Sequence, residues 1–205
     1  MQLLPESERL SFRPHLVTDL DDFCAMEMDI NVRRYVGGYP RSREEAEKRF
    51  PGNQARAMVT DRLAVWATIL KAENRYIGRC GIYVHFSPEG APIPGEAALG
   101  LYIAHPYWGR GFAMEAGRAF VDFGFNELGI HRIVTTVMEG NDASLHVLQK
   151  LGFTTVRIEK GMRTLHHLPF FSEEINLPLR LAAFMRSFNV EPFFKAGHEI
   201  FFIIS

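Results

Sequence analysis

The chain has 205 residues, 47% of them hydrophobic and 23% charged, with a formal net charge of −1. That length and composition suit one globular domain with a real core, and the balanced charge excludes a basic field that would recruit nucleic acid or an anionic membrane. Two cysteines, Cys24 and Cys80, are too few for a disulfide framework and lack metal-ligand spacing, so they read as small buried hydrophobes in a reducing compartment. The opening MQLLPESERL meets proline and charge early, without a secretory apolar core, and no run approaches the roughly 18 apolar residues of a membrane span. A soluble, cytoplasmic protein is the expectation.

In chain order, ERLSFRPHL (8–16) alternates apolar and polar residues with the period of a half-buried strand. Thr18 precedes DLDDFCAMEMD, whose early aspartates mark a helix start. SREEAEKRF (42–50) predicts a short charged helix, stopped at Pro51–Gly52. LAVWATILK (63–71) and RYIGRCGIYVHF (75–86), joined by AEN, predict a hairpin, and SPEGAPIPG (87–95) a loop. AALGLYIAH (97–105) is a further strand running into HPYWGRGFAMEA (105–116). Apolar residues at Ala116, Ala119, Phe120 and Phe123 predict a helix from Ala113 to Leu128, with Gly129 as its stop. HRIVTTVM (131–138) is a strand, and EGNDASLHVLQKLGF (139–153) a turn and a helix capped by Asn141 and ended by Gly152. TTVRIEKGMRTL (154–165) and KAGHEIFFIIS (195–205) read as closing strands. Between them, an apolar insertion at about 166–193 is expected to hold a helix around 174–188 and to serve as a homodimer contact or a lid over the acceptor. This order gives an α+β (α/β layered) fold with a largely antiparallel front half, not the regular βαβ alternation of a dinucleotide-binding fold.

The junction at 105–116 carries the chemistry. Gly109 and Gly111 flank Arg110 between a strand and a helix start, where unpaired N–H groups and a partial positive charge suit an anion. Missing side chains let a phosphate approach those N–H groups, but the same glycines also serve a plain tight turn. Met114 stands where a dinucleotide motif wants its third glycine, and no G-K-[ST] triplet is present.

P-x-x-W-G-R-G-x-A-x-E-A at this junction resembles the acyl-CoA signature of the GNAT superfamily of N-acetyltransferases. Its spacing to N-D-A-S-L-H-V-L-Q-K-L-G-F (141–153) and the opening E-R-L-S-F-R resemble the branch of ribosomal-protein alanine N-acetyltransferases. The resemblance implies a GNAT fold over a single domain, 1–205, with a mixed sheet flanked by helices and strands splayed at the acyl-CoA site. It implies acetyl-CoA as cosubstrate, no metal, and direct acetyl transfer in a ternary complex to a primary amine, either a protein N-terminus or a small molecule.

The resemblance also assigns roles. Main-chain N–H groups at Arg110, Gly111, Phe112, Ala113 and Met114 would hold the pyrophosphate, with Gly109 giving clearance and Trp108 packing beside the cofactor. The main chain of Tyr102, Ile103 and Ala104 would pair with the pantetheine. Asn141 would contact CoA besides capping its helix. Ser144 would act near the sulfur as candidate acid, because Leu148 stands where many members carry a tyrosine. Glu96, at the start of the central strand, is the candidate base; His85 ends the preceding strand, and its side-chain type suits a base, although a surface or core histidine is the plainer reading. Glu115 reads as helix-start charge. His166–His167 has no third partner at ligand spacing, so no metal site is expected. With no cysteine in either motif, a covalent acetyl-enzyme is not expected. The competing reading is a catalytically silent acyl-CoA-binding sensor or scaffold, for which Leu148 is the best argument.

Overall fold

The computed structural model describes residues 4–59, 62–159 and 162–167. Seven strands, β1 (Leu10–Arg13), β2 (Ala64–Leu70), β3 (Arg75–Phe86), β4 (Pro92–Ile103), β5 (Arg132–Met138), β6 (Thr154–Glu159) and β7 (Met162–His167), form one sheet in the order β1-β2-β3-β4-β5-β7-β6. Five helices accompany them: α1 (Leu20–Met28), α2 (Ile30–Arg33), α3 (Arg43–Val59), α4 (Phe112–Glu127) and α5 (Asp142–Lys150). Only β4 and β5 run parallel; every other neighbouring pair is antiparallel. The expected mixed sheet between helical layers is therefore present.

Alternation along the strands gives each face its own core. Leu10, Trp66, Ile82, Leu99, Leu101 and Ile133 pack with Phe112, Ala116, Phe120 and Phe123, the apolar stripe of α4. Two glycines let this helix lie close to the sheet. A Cβ at Gly117 would come within 3.0 Å of the Leu101 side chain, and one at Gly124 within 3.1 Å of Ile133. On the opposite face, Phe23 and Cys24 of α1 and Ala46 and Phe50 of α3 pack with Ala67, Ile69 and Tyr76. Both cysteines are free and buried, as expected.

Next to this second core lies a buried ion cluster. Glu27 accepts from Arg79 Nη2 (2.6 Å) and Arg41 Nε (2.9 Å), and Arg33 Nη1 stands 3.4 Å away. Burial works against the Glu27 charge, but Arg79, Arg33 and Arg41 outweigh it and hold its carboxyl below the usual range.

Several boundaries differ from the sequence reading, each for a tertiary reason. α3 does not stop at Pro51 but continues through it to Val59. Proline removes one intrahelical bond, yet buried Ala46 and Phe50 seat the preceding turns on the sheet, and Asn53 Nδ2 donates to the Arg49 carbonyl (3.2 Å). The loop before β4 spans only 87–91, closed by Ser87 N–H to the Ala91 carbonyl (2.7 Å). Pro94 falls where the β3–β4 ladder shifts register between Val84 and Phe86, so its missing donor breaks no pairing. α2, not expected, starts because the Asp29 carboxylate caps the Asn31 N–H (2.8 Å). TTVRIEKGMRTL forms two strands, β6 and β7, and His166 and His167 end β7. The rest of the expected insertion and the strand expected at 195–205 lie outside the described residues.

His15 sits in the second core, 3% exposed, with its ring against Phe23, Phe50 and Tyr76 and, among the described residues, no hydrogen-bond partner on either nitrogen. Burial, aided by the Arg79 charge, lowers its pKa to about 4. In the unfolded chain a histidine takes its proton near pH ~6.5, so between those values the unfolded state binds more protons. Stability therefore falls as pH drops from about 6.5 to about 4, by ~3 kcal/mol for this group alone. The carboxylates with lowered pKa act only below about pH 4.5, their unfolded range. Urea unfolding of wild type and His15→Phe at pH 7.5 and 4.5 checks this. The variant should lose most of the difference between the two pH values, and equal differences in both proteins would refute the assignment.

Candidate functional site

The site begins where two parallel strands stop pairing. The β4–β5 ladder runs only from Glu96↔Arg132 to Ala98↔Val134. One step on, Thr135 Oγ1 donates to the Leu99 carbonyl (3.1 Å), and beyond this bridge the strands part, β4 continuing to Ile103 and β5 to Met138. Each remains paired on its outer side, β4 with β3 and β5 with β7.

Strand alternation decides which main-chain groups line the gap. Ala104 N–H donates to the Ile77 carbonyl (2.8 Å), so Tyr102 and Gly100 also turn their amides to β3. Leu101 and Ile103 then turn theirs to the gap, and Trp108 Nε1 donates to the Ile103 carbonyl (2.7 Å) at its open end. Of the three residues expected along a pantetheine, Ile103 faces the gap with its main chain. Tyr102 and Ala104 serve the β3 ladder, and Leu101, not singled out in the sequence, stands beside Ile103. The strand period could have found it, since Leu101 is two residues before Ile103 and shares its orientation.

At the gap's end lies the start of α4. Gly109 (φ +72°) and Gly111 (φ +80°), the cap of α4, hold left-handed backbone that glycine alone adopts cheaply. Glu115 N–H is the first to bond back, to the Gly111 carbonyl (3.0 Å), so the N–H groups of Phe112, Ala113 and Met114 have no acceptor within the helix. Arg9 anchors this turn. Its N–H and Nε donate to Glu115 (2.6 and 2.7 Å), and its Nη1 to the Arg110 carbonyl (3.0 Å). Burial disfavours the Glu115 charge, but the Arg9 main chain, Ser7 and the Arg9 guanidinium hold its carboxyl below the usual range. The Arg110 guanidinium stacks on Phe112 (4.9 Å) and Tyr107 (5.4 Å), which leaves the main chain around it to form the cradle.

α5 supplies the third side. Asn141 caps it by accepting the Ser144 N–H (3.2 Å). Ser144 is fully buried, and among the described residues its hydroxyl has no hydrogen-bond partner. It shares a helix face with Leu148, four residues on, which packs into the α4 core. An unmatched buried hydroxyl costs about 1–3 kcal/mol unless a ligand meets it.

On the face opposite α4, the gap is bridged. Tyr35 hydroxyl donates to the Gly140 carbonyl (3.2 Å), Asn31 Nδ2 meets His105 Nδ1 (3.2 Å), and Tyr102 lies under the Arg79 guanidinium (4.7 Å). Glu96 is placed below the apex of the gap, on this same face. Its carboxylate accepts from Arg132 Nη2 and lies 2.9 Å from His85 Nδ1. Glu96 and His85 are therefore together, whereas Ser144 lies on the α4 side. Among the described residues, no three histidine, cysteine, aspartate or glutamate side chains group so as to hold a metal ion. Among them too, no helix is long and apolar enough to cross a membrane.

Two parallel strands thus splay toward an open, glycine-capped helix start. A family model described as "Acetyltransferase (GNAT) domain" matches residues 9–154. The chain belongs to the GNAT acetyltransferase family, whose members use acetyl-CoA. It is 28% identical to the N-acetyltransferase p20 of Bacillus licheniformis, over 72% of this chain and 80% of that protein. It is 32% identical to YkkB of Bacillus subtilis over 44% of this chain, a match spanning half the length of that relative. A GNAT-family acetyltransferase from Bacillus anthracis shares the fold, with TM-score 0.69 and 20% identity over 81% of this chain and 98% of that one. A spermidine N-acetyltransferase from Vibrio cholerae, solved with CoA and spermine, matches with TM-score 0.61 and 20% identity over 78% and 95% of the chains.

Removing an unmatched hydroxyl should not harm the fold. Ser144→Ala is expected to leave stability unchanged or raise it by up to ~1 kcal/mol, measured by thermal and urea unfolding of the unliganded protein. A loss above ~1 kcal/mol would show that the hydroxyl has a structural partner.

Proposed function

We propose that the chain transfers the acetyl group of acetyl-CoA directly to a primary amine within a ternary complex. The observation that carries this reading is the continuity of three features: the gap-facing amides of Leu101 and Ile103, the open N–H groups of Phe112 to Met114, and the buried Ser144 hydroxyl. An extended pantetheine fits the gap because it needs strand-like partners, and its pyrophosphate fits the cradle from Arg110 to Met114, with Gly109 and Gly111 leaving the approach clear.

In this reading the Leu101 N–H, beyond the Thr135–Leu99 bridge, faces the thioester oxygen as a fixed donor. Ile103 pairs with the pantetheine, Tyr102 and Ala104 hold its strand in place, and Trp108 closes the end of the gap. Asn141 orients the first turn of α5, and Ser144 meets the sulfur as the thiolate departs. Direct transfer is supported by the state of the cysteines. Cys24 and Cys80 are fully buried, and burial pushes the Cys80 thiol up to about 11, so neither offers a thiolate to carry the acetyl group.

The acceptor in this reading is a protein N-terminal amine or a small-molecule amine. The motifs at 105–116 and 141–153 support the branch of ribosomal-protein alanine acetyltransferases. A relation to the Escherichia coli spermidine N(1)-acetyltransferase, 26% identical over 47% of this chain and 48% of that protein, supports a polyamine instead. Charge favours the former. The cluster in which Glu27 faces three guanidiniums, one of them over the Tyr102 ring, carries a local excess of positive charge, which suits a singly charged amine better than a polycation. In this reading the chain is one acetyltransferase domain that acts in the cytoplasm as a homodimer. The silent-module reading keeps its support from Leu148, which is buried in the core and has no proton to give.

Free-thiol release from acetyl-CoA, with spermidine, an alanine-initiated peptide, free amino acids and an aminoglycoside as acceptors, separates the readings. Acceptor-dependent release is expected, and Ser144→Ala should lower kcat roughly 10- to 100-fold while CoA affinity changes little. Tight CoA binding by calorimetry without release on any acceptor would establish the silent module.

A further inference from the structure

The peptide that joins Arg110 to Gly111 opens the start of α4, and its own backbone does not fix which way it faces. Turning it over changes only the ψ of Arg110 and the φ of Gly111. An arginine accepts ψ in the helical or the extended range, and glycine accepts either sign of φ at little cost. The orientation therefore has to come from a contact.

Arg9, the residue before β1, supplies it. Its Nη1 donates to the Arg110 carbonyl (3.0 Å). The guanidinium is itself held in place, with Nε donating to Glu115 Oε2 (2.7 Å) and the Phe112 ring 4.6 Å from its central carbon. Its Nη2 lies 3.5 Å from where a Gly111 Cβ would stand, so the group runs alongside this one peptide. A trans peptide points its C=O and N–H in opposite directions, so a carbonyl drawn to Arg9 turns the Gly111 N–H away from it. Among the described residues that N–H has no main-chain acceptor.

The next peptide is fixed by the helix. The Gly111 carbonyl accepts the Glu115 N–H (3.0 Å), which aims the Phe112 N–H out of the helix start. With Gly111 at φ +80° and ψ 6°, the N–H groups before and after it point to the same side, the arrangement that makes a concave anion site. Of these two neighbouring donors, one is set by α4 and the other by Arg9. Were the Arg110–Gly111 peptide turned over, a carbonyl oxygen would replace the first donor and repel an anion.

We propose that Arg9 is a positioning residue for acyl-CoA, holding the Gly111 N–H toward the pyrophosphate through its bond to the Arg110 carbonyl. This rests on the acetyl-CoA reading above. A guanidinium suits the task because its rigid fork serves Glu115 and the carbonyl together, which a single ammonium does not. The main-chain N–H of Arg9 also donates to Glu115 Oε1 (2.6 Å), and that bond survives replacement of the side chain. Arg9→Met thus keeps β1 tied to α4, and an apolar stem over Phe112, while releasing the carbonyl.

The test uses the full chain, with CoA binding measured by calorimetry and thiol release on the same acceptor set. Arg9→Met should weaken CoA binding and raise the KM for acetyl-CoA roughly 10- to 100-fold, the worth of one hydrogen bond to a charged group, with kcat at saturating donor unchanged. With acetyl-pantetheine, a donor that has no pyrophosphate, kcat/KM should be equal in variant and wild type. Arg9→Lys, which keeps the charge and loses the fork, should bind CoA more like Arg9→Met than like wild type. Unchanged CoA affinity in Arg9→Met would overturn the proposal. So would an equal loss with acetyl-pantetheine, which marks general damage to the α4 start, or wild-type affinity in Arg9→Lys, which marks a bare charge effect. CoA binding that depends on Arg9, with no thiol release on any acceptor, would support the positioning role and overturn the transfer reading. Wild-type protein that binds no CoA would overturn both.

Discussion

The fold turns on one interrupted ladder. β4 and β5 are parallel neighbours that share only the pairs from Glu96 to Ala98, although each continues for several residues. The Thr135 hydroxyl takes the Leu99 carbonyl where the next ladder bond would fall, which ends the pairing without orphaning that acceptor. Past it, β3 holds β4 and β7 holds β5, and α4 bears on both strands through the close approaches at Gly117 and Gly124. The strands cannot close up without breaking those outer ladders. Main-chain groups left facing a gap in a buried sheet are costly unless something extended pairs with them. The break is thus a destabilising feature of the free protein, and its open main-chain groups are ones that an extended ligand arm would pair with.

The turns around the gap are tied from outside by side chains, which leaves their main chain free for a ligand. Arg9 and Glu115 fasten the start of α4 to the start of β1, and Arg9 also holds the Arg110 carbonyl. Trp108 occupies the Ile103 carbonyl, Tyr35 the Gly140 carbonyl, and Asn141 the Ser144 N–H. These bonds consume acceptors and capping positions while the N–H groups of the α4 start stay open. The Ser144 hydroxyl follows the same pattern on the side-chain level, being fixed by its capped turn and left without a partner.

How much of this was readable in the sequence depended on the range of the interaction. Helix stripes, glycine stops and the Asn141 cap are local signals, and they located α4, α5 and the glycine turn before α4. Proline signals failed where packing opposed them. Buried Phe50 carries α3 through Pro51, and a register shift in the β3–β4 ladder admits Pro94. The orientation of the gap was only half legible, because the motif marks where β4 ends but not which alternate amides turn toward β5. That required the pairing of Ala104 with Ile77. The partners of Glu96 lay beyond any local pattern, since His85 is 11 and Arg132 36 positions away in the chain. Glu96 alone reads as a strand-end charge, and only sheet register turns it into the middle of a row.

The same register separates the chemistry onto two sides of the sheet. The cradle and Ser144 belong to the α4 side, while Glu96, His85 and the arginine-ringed Glu27 belong to the other. The two sides thereby differ in chemistry: open N–H groups and an uncharged hydroxyl on the α4 side, titratable side chains on the other. The sheet itself separates them, with Leu99 and Leu101 fully buried on its α4 side. The gap beyond Thr135 is where the faces communicate. In the proposed reaction, that one break in pairing would set both the site of attack on the acetyl group and its direction.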